Sequence, residues 1–255
     1  MTVVRLVLAY DGTDFHGWAR QPGVRTVQGV LVEALSRVLG SEPSLAGAGR
    51  TDAGVHASGQ VASFGWADPV DALRVQRALN GMLAPEVVVR EARQAAEAFD
   101  ARRSATGREY RYLIDTAPVP DPFTARYVWS RPGPLAMGRM RQAAALLVGE
   151  HDFASFCRTP KPAGASTVRH LRRLSISRRG DLMEIRAEAN GFLHQMVRSL
   201  VGTLVAVGDG RRDPAEVPGI IQARRRAAAA PIAPPRGLCL VRVRYGPTPR
   251  DAAHL

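Results

Sequence analysis

Cysteine is scarce in this 255-residue chain, and lysine is all but missing. The only cysteines, Cys157 and Cys239, stand far apart. Two distant thiols make neither a disulfide framework nor a zinc knuckle, and they suit a reducing, cytoplasmic setting. No apolar stretch approaches the length of a membrane span. Met1–Tyr10 is a short apolar run broken by Arg5, with no small-residue cleavage site, so it reads as a strand rather than a signal peptide. There is no Gly-Lys-Ser/Thr loop, and Gly47, Gly49 and Gly54 miss the dinucleotide-binding spacing. His16, His56, His151 and His194 lack metal-ligand spacing; each reads as an ordinary polar or core histidine. The expectation is no cofactor and no metal.

Arginine, by contrast, is abundant. Lys161 is the only lysine among 35 basic residues, which face 23 acidic ones for a net charge of +12. Arginine makes forked phosphate contacts and stacks on bases better than lysine. A GC-rich genome would give the same bias, so the residue type carries little weight. The distribution carries more. Residues 1–104 hold 11 basic and 11 acidic residues, whereas residues 105–255 hold 24 basic against 12 acidic. The whole surplus therefore lies in the second half and favours a polyanionic partner, either nucleic acid or an anionic membrane surface.

Hydrophobic periodicity predicts a strand over Val3–Tyr10, ended by Asp11-Gly12. A helix follows, capped by Thr26 and stopped by Gly40, with Val27, Val30, Leu31, Ala34, Leu35 and Val38 on one face. Leu45–Ala48 and Gln60–Phe64 read as strands, Val70–Leu79 as a helix and Val87–Ala92 as a strand. The second half repeats this order. Arg108–Thr116 is a strand with Tyr110, Tyr112 and Ile114 on one face, and Leu135–Val148 a helix. Val168–Ser177 and Leu182–Ala189 pair through Arg179-Gly180-Asp181. Phe192–Val207 is an apolar helix, Pro214 to about Arg226 a shorter one, and Leu238–Tyr245 the last strand. Two β-α-β-β-α-β halves predict an α+β fold of two ferredoxin-like subdomains, 1–104 and 105–255. Together they would form one extended, mostly antiparallel sheet with helices on one face. Residues 117–134, rich in proline and polar residues, read as a long functional loop.

The segment AGAGRTDAGVHASGQVASF, Ala46–Phe64, is the densest in chemistry. Its glycines let backbone approach a bulky planar ligand. Arg50 stands two residues before Asp52, where it can hold the carboxylate ionised or contact a phosphate. An ionised carboxylate on an accessible loop can act as a nucleophile. On chemistry alone, Arg-Thr-Asp-Ala-Gly is equally a tight turn with a surface ion pair.

That segment resembles the catalytic motif of the tRNA pseudouridine synthase A family. The resemblance extends, in family order, through AYDGTDFHGWARQ (Ala9–Gln21), FDARRSATGREYRYLI (Phe99–Ile114), GEHDFASF (Gly149–Phe156), NGFLHQMVRSLVG (Asn190–Gly202) and APPRGLCLVRV near the end. It implies isomerisation of uridine to pseudouridine at tRNA positions 38, 39 and 40, by a homodimer that needs no cofactor. Asp52 matches the family's nucleophile, and Arg50 the arginine that pairs with it and guides the flipped base. Tyr110 matches the tyrosine that stacks on the uracil, Leu238 an apolar residue lining the base pocket, and Arg198 a basic active-site neighbour. Read without the resemblance, Tyr110 and Leu238 are strand core and Arg198 a solvated helix face. Glu109, beside Tyr110, and the proline-containing segment 158–167 depart from the pattern. Attack at C1′ and attack at C6 both remain open. The competing readings are a non-catalytic RNA-binding protein on the same scaffold and a glycosidase, which would need a paired acid where no second carboxylate stands out.

Overall fold

The computed structural model describes residues 1–158 and 165–246; Lys161 and most of the divergent 158–167 segment lie outside them. Chain order runs β1 (Thr2–Tyr10), α1 (Val27–Leu39), β2 (Ala46–Gly47), β3 (His56–Trp66), α2 (Ala72–Leu83), β4 (Val87–Ala95) and β5 (Ala105–Asp115). It continues with β6 (Trp129–Ser130), α3 (Met137–Leu147), β7 (Gly149–Asp152), β8 (Val168–Arg179), β9 (Leu182–Ala189), α4 (Met196–Gly208), α5 (Val217–Ala223) and β10 (Leu238–Tyr245). The fold is α+β, in two compact units. One is Met1–Thr106 with the segment from Cys239 onward; the other is Gly107–Leu238.

In the first unit β1 is the central strand, antiparallel to both β3 and β4, with Leu6 facing Ala62 on one side and Ala92 on the other. Alternate side chains Val4, Leu6, Leu8 and Tyr10 are buried, as a strand with one face on a core requires. The two-residue β2 pairs with β3, completing the order β-α-β-β-α-β. Thr26 caps α1 by accepting a hydrogen bond from Gly29 N–H, a contact worth about 1 kcal/mol. Gly40 ends the helix in the left-handed region at φ 85°. Asp71 caps α2, which lies against β4 and beside α1. The expected division at 104/105 is corrected at its far end, because β10 belongs here. It runs parallel to β3, Cys239 opposite His56, and so returns to the first unit.

In the second unit β5, β9, β8 and β7 follow one another, all antiparallel. Tyr110 pairs with Ala187, and β8 and β9 are joined at Gly180 as expected. All thirteen residues of α4 are buried, and α3 packs against it and β8. A helix buried on every side needs apolar or small residues all round. At Gly202 an added Cβ would come within 2.0 Å of the Pro231 carbonyl. The helix starts at Met196 rather than Phe192 because Gln195 has φ 63° and cannot continue a helical turn. The single helix expected over 214–226 is interrupted too. A 3₁₀ turn at Pro214–Glu216 carries a capping box from Asp213, α5 follows, and Arg224 ends it at φ 46°.

Candidate active site

The loop from Ala48 to Val55 carries Arg50 and Asp52 in the first unit. Arg50 is exposed and Asp52 half-buried. The backbone around them is held from several directions. On the inbound side, the side-chain amide of Gln60 donates to Gly49 O at 2.7 Å and accepts from Gly49 N–H at 3.3 Å. Thr51 Oγ1 lies 2.9 Å from Tyr10 Oη, both buried, and Gln60 Nε2 is 3.4 Å from that same hydroxyl. On the outbound side, Val55 N–H donates to Asp52 O at 3.2 Å and Gly54 N–H to Phe15 O at 3.2 Å.

The segment Asp11–Trp18 forms the back wall. Trp18 N–H donates to Thr51 O at 3.0 Å. Gly17, at φ 88°, has no room for a side chain, since a Cβ would stand 2.7 Å from Thr51 O and 3.1 Å from the carbonyl carbon of Asp52. Gly12 is tighter still, with 2.0 Å to Val55 O. Its N–H donates to His56 Nδ1 at 3.0 Å, and that ring nitrogen is 3.1 Å from Asp11 Oδ1. His56 is thus a buried, hydrogen-bonded scaffold residue, as its lack of metal spacing suggested. Burial pushes the Tyr10 hydroxyl well above the ordinary tyrosine range, so it stays protonated and available as a donor.

Tyr110, Arg198 and Leu238 lie in the second unit. Tyr110 sits mid-strand in β5, 7% exposed, with its ring edge-on to Phe192 at 5.1 Å between centroids. Glu109, whose charge departed from the family pattern, is buried and paired with Arg186 at 3.0 Å. Arg198 does not occupy a solvated helix face. It is buried on α4, where its Nε donates to Ala233 O at 2.8 Å while Ala233 N–H donates to Arg198 O at 3.0 Å. The same segment, Ala233–Leu238, meets β5. Tyr112 Oη donates to Pro234 O at 2.8 Å, and Gly237 packs against the Tyr112 ring and Leu113 O. Burial raises the Tyr112 hydroxyl, against the opposing pull of Arg198 and Arg236. Within this unit the structure therefore gathers Arg198, the strand of Tyr110 and the segment ending at buried Leu238.

Sequence reasoning passed over Tyr10, Gly12, Gly17, Trp18, His56 and Gln60 as supports of the Asp52 loop. Four of the six fall in Ala9–Gln21, a stretch whose family resemblance implies no residue role. Among the described residues no group of three or more His, Cys, Asp or Glu side chains is arranged to hold a metal ion.

The family model described as tRNA pseudouridine synthase matches residues 6–102 and 143–246. Arg50, Asp52, Arg198 and Leu238 fall inside those stretches, and Tyr110 between them. Similar proteins named tRNA pseudouridine synthase A include one from Syntrophotalea carbinolica, 43% identical over 97% of this chain and 98% of that protein. One from Frankia casuarinae is 47% identical over 98% and 92%, and one from Brevibacillus brevis 45% identical over 96% and 100%. The similarity spans both units and the Asp52 loop, and on that ground the chain belongs to the tRNA pseudouridine synthase A family.

Proposed function

We propose that this chain isomerises uridine to pseudouridine at positions 38, 39 and 40 of the tRNA anticodon stem-loop, with Asp52 as the nucleophile. The observation that carries the reading is the Asp52 loop: a half-buried carboxylate on a backbone pinned on both sides. A nucleophile held this way meets its target without first ordering its own chain. The reaction breaks the C1′–N1 glycosidic bond, turns the uracil and joins C5 to C1′; C5 loses its proton and the freed N1 gains one. The product is an isomer, so no redox equivalent or activated donor is consumed. Attack by Asp52 at C1′ or at C6 uses the same carboxylate and the same loop.

A stem uridine must leave the base stack to reach Asp52. Arg50 guides it, Tyr110 carries the flipped ring, Leu238 lines the base pocket and Arg198 is its basic neighbour. Because Tyr110 is 7% exposed, stacking entails a local repacking beside Phe192, which lies in a non-helical segment. The arginines of the second half hold phosphates without reading sequence. The working form is a cytoplasmic homodimer. Support for association comes from the loop after β5, where Val119, Phe123 and Tyr127 leave apolar surface exposed, Phe123 at 89%.

Asp52→Asn tests the mechanism. The amide keeps the size and much of the polar contact but is a very poor nucleophile. The variant should bind tRNA and leave it unmodified, and a chelator should not slow the wild type. Pseudouridine formed at the normal rate by Asp52→Asn would sink the mechanism.

A further inference from the structure

Gln60 lies on β3, eight residues past Asp52, and is fully buried. Every hydrogen-bonding position of its amide is used. Oε1 accepts from Gly49 N–H at 3.3 Å and from Val61 N–H at 3.1 Å; Nε2 donates to Gly49 O at 2.7 Å and lies 3.4 Å from Tyr10 Oη. Turning the amide over would aim its NH₂ at two backbone N–H donors, so only one orientation satisfies the site.

That orientation fixes the first step of a chain. Nε2 can only donate, so Tyr10 Oη accepts from it at 3.4 Å, and the two hydroxyls of Tyr10 and Thr51 share the next bond at 2.9 Å. The chain runs from Gln60 through Tyr10 to Thr51 and stops one residue before Asp52. It is a buried polar network with every member of the amide satisfied, the kind that holds one geometry and is costly to leave half-made.

The strand pairing places these groups together. Leu8 pairs with Gln60 but Tyr10 with Ala57, so β3 carries one extra residue between them. Such a bulge bends a strand and re-aims its side chains. Gly59 lies within it, where an added Cβ would stand 2.2 Å from the Val241 carbonyl of β10.

We propose that Gln60 is the positioning residue for Asp52: it clamps Gly49 directly and Thr51 through Tyr10, fixing the stretch that delivers the carboxylate. The proposal rests on Asp52 as the reacting group. Gln60 touches no substrate and acts only through the loop.

The test is a single-turnover measurement of pseudouridine formation on a tRNA transcript, with tRNA affinity and amide hydrogen exchange measured in parallel. Gln60→Met keeps the volume and removes all the amide's bonds. Its rate should fall about 10–100-fold, the scale expected of a reacting group displaced by up to an ångström. Its tRNA affinity should hold, and the amides of residues 49–55 should exchange faster. Tyr10→Phe removes a single hydroxyl and should slow the reaction in the same direction. Added to Gln60→Met it should cost almost nothing more, because both act through one chain of bonds. Should Gln60→Met fail to fold, Tyr10→Phe carries the test alone. A folded Gln60→Met or Tyr10→Phe at full rate overturns the proposal, as do multiplicative effects in the double variant. Activity retained by Asp52→Asn would instead overturn the reading beneath it.

Discussion

Replacing Gly17 by alanine puts a defined displacement beside Asp52 without changing any residue assigned a part in binding RNA. Two costs can be separated. The first is conformational: at φ 88° an L-residue is disfavoured by about 1–2 kcal/mol. The second is steric. The new Cβ would stand 2.7 Å from Thr51 O, 3.1 Å from the Asp52 carbonyl carbon and 3.2 Å from Ala53 N, whereas ordinary contact begins at 3.4 Å. All three are backbone atoms, so no side chain can swing away. The loop must retreat by about 0.7 Å, the difference between 3.4 and 2.7 Å. Displacement on the scale of an ångström can cost about 100-fold in rate, so Gly17→Ala should react about 10–100-fold more slowly. Gly23 supplies the internal control. It has φ 73° and nothing within 4 Å of an added Cβ, so Gly23→Ala carries the conformational cost alone. Denaturant unfolding should show Gly23→Ala destabilised by about 1–2 kcal/mol and Gly17→Ala by more, since it carries the steric cost as well. Single-turnover pseudouridine formation should separate them, with only Gly17→Ala slow. Equal rates in the two folded variants would refute the claim that backbone packing at Gly17 positions Asp52.

Three further outcomes follow from the charge and the buried aromatic. Tyr110→Phe should keep the stacking ring and most activity. Tyr110→Ala should lose the platform, about 1–3 kcal/mol per stacked base, besides about 3–5 kcal/mol of core stability; wild-type activity in folded Tyr110→Ala would remove the residue from the site. The affinity for tRNA should fall linearly with salt on logarithmic axes, since the net +12 resides in residues 105–255, and a flat profile from low to high salt would contradict phosphate-led binding. Light scattering under assay conditions should give a dimer; a fully active monomer would reject that state.

Much of the fold was legible because its signals are local. The two ends of α1 needed only Thr26 and Gly40, and the strand alternation of β5 only Tyr110, Tyr112 and Ile114. What escaped was set by contacts between distant residues. The strands β6 and β7 have two and four residues, too short to show a period. The N-terminal limit of α4 depends on the φ of Gln195, in an apolar stretch whose pattern runs on past it. The return of β10 to the first unit lies in no local pattern at all, since its pairing with His56 and Ala57 joins residues far apart in sequence.

The candidate site divides along the same line. Asp52 and Arg50 stood out because glycine, arginine and aspartate crowd one short loop, whereas the residues that hold the loop come from elsewhere and look ordinary. Gln60 is one polar residue in a strand buried along most of its length, so no alternation marks it as facing inward. Its meaning depends on Tyr10, fifty residues away, and on an extra residue in β3 that only the pairing reveals. Arg198 misled for the complementary reason. A charge on a helix ordinarily faces water, but α4 is buried on all sides, and the guanidinium is accommodated by the Ala233 carbonyl, a backbone group that composition cannot disclose. A buried arginine whose removal would leave that carbonyl without its donor is a structural member first. Any part it takes in binding RNA has to be read from variants that keep the Ala233 contact.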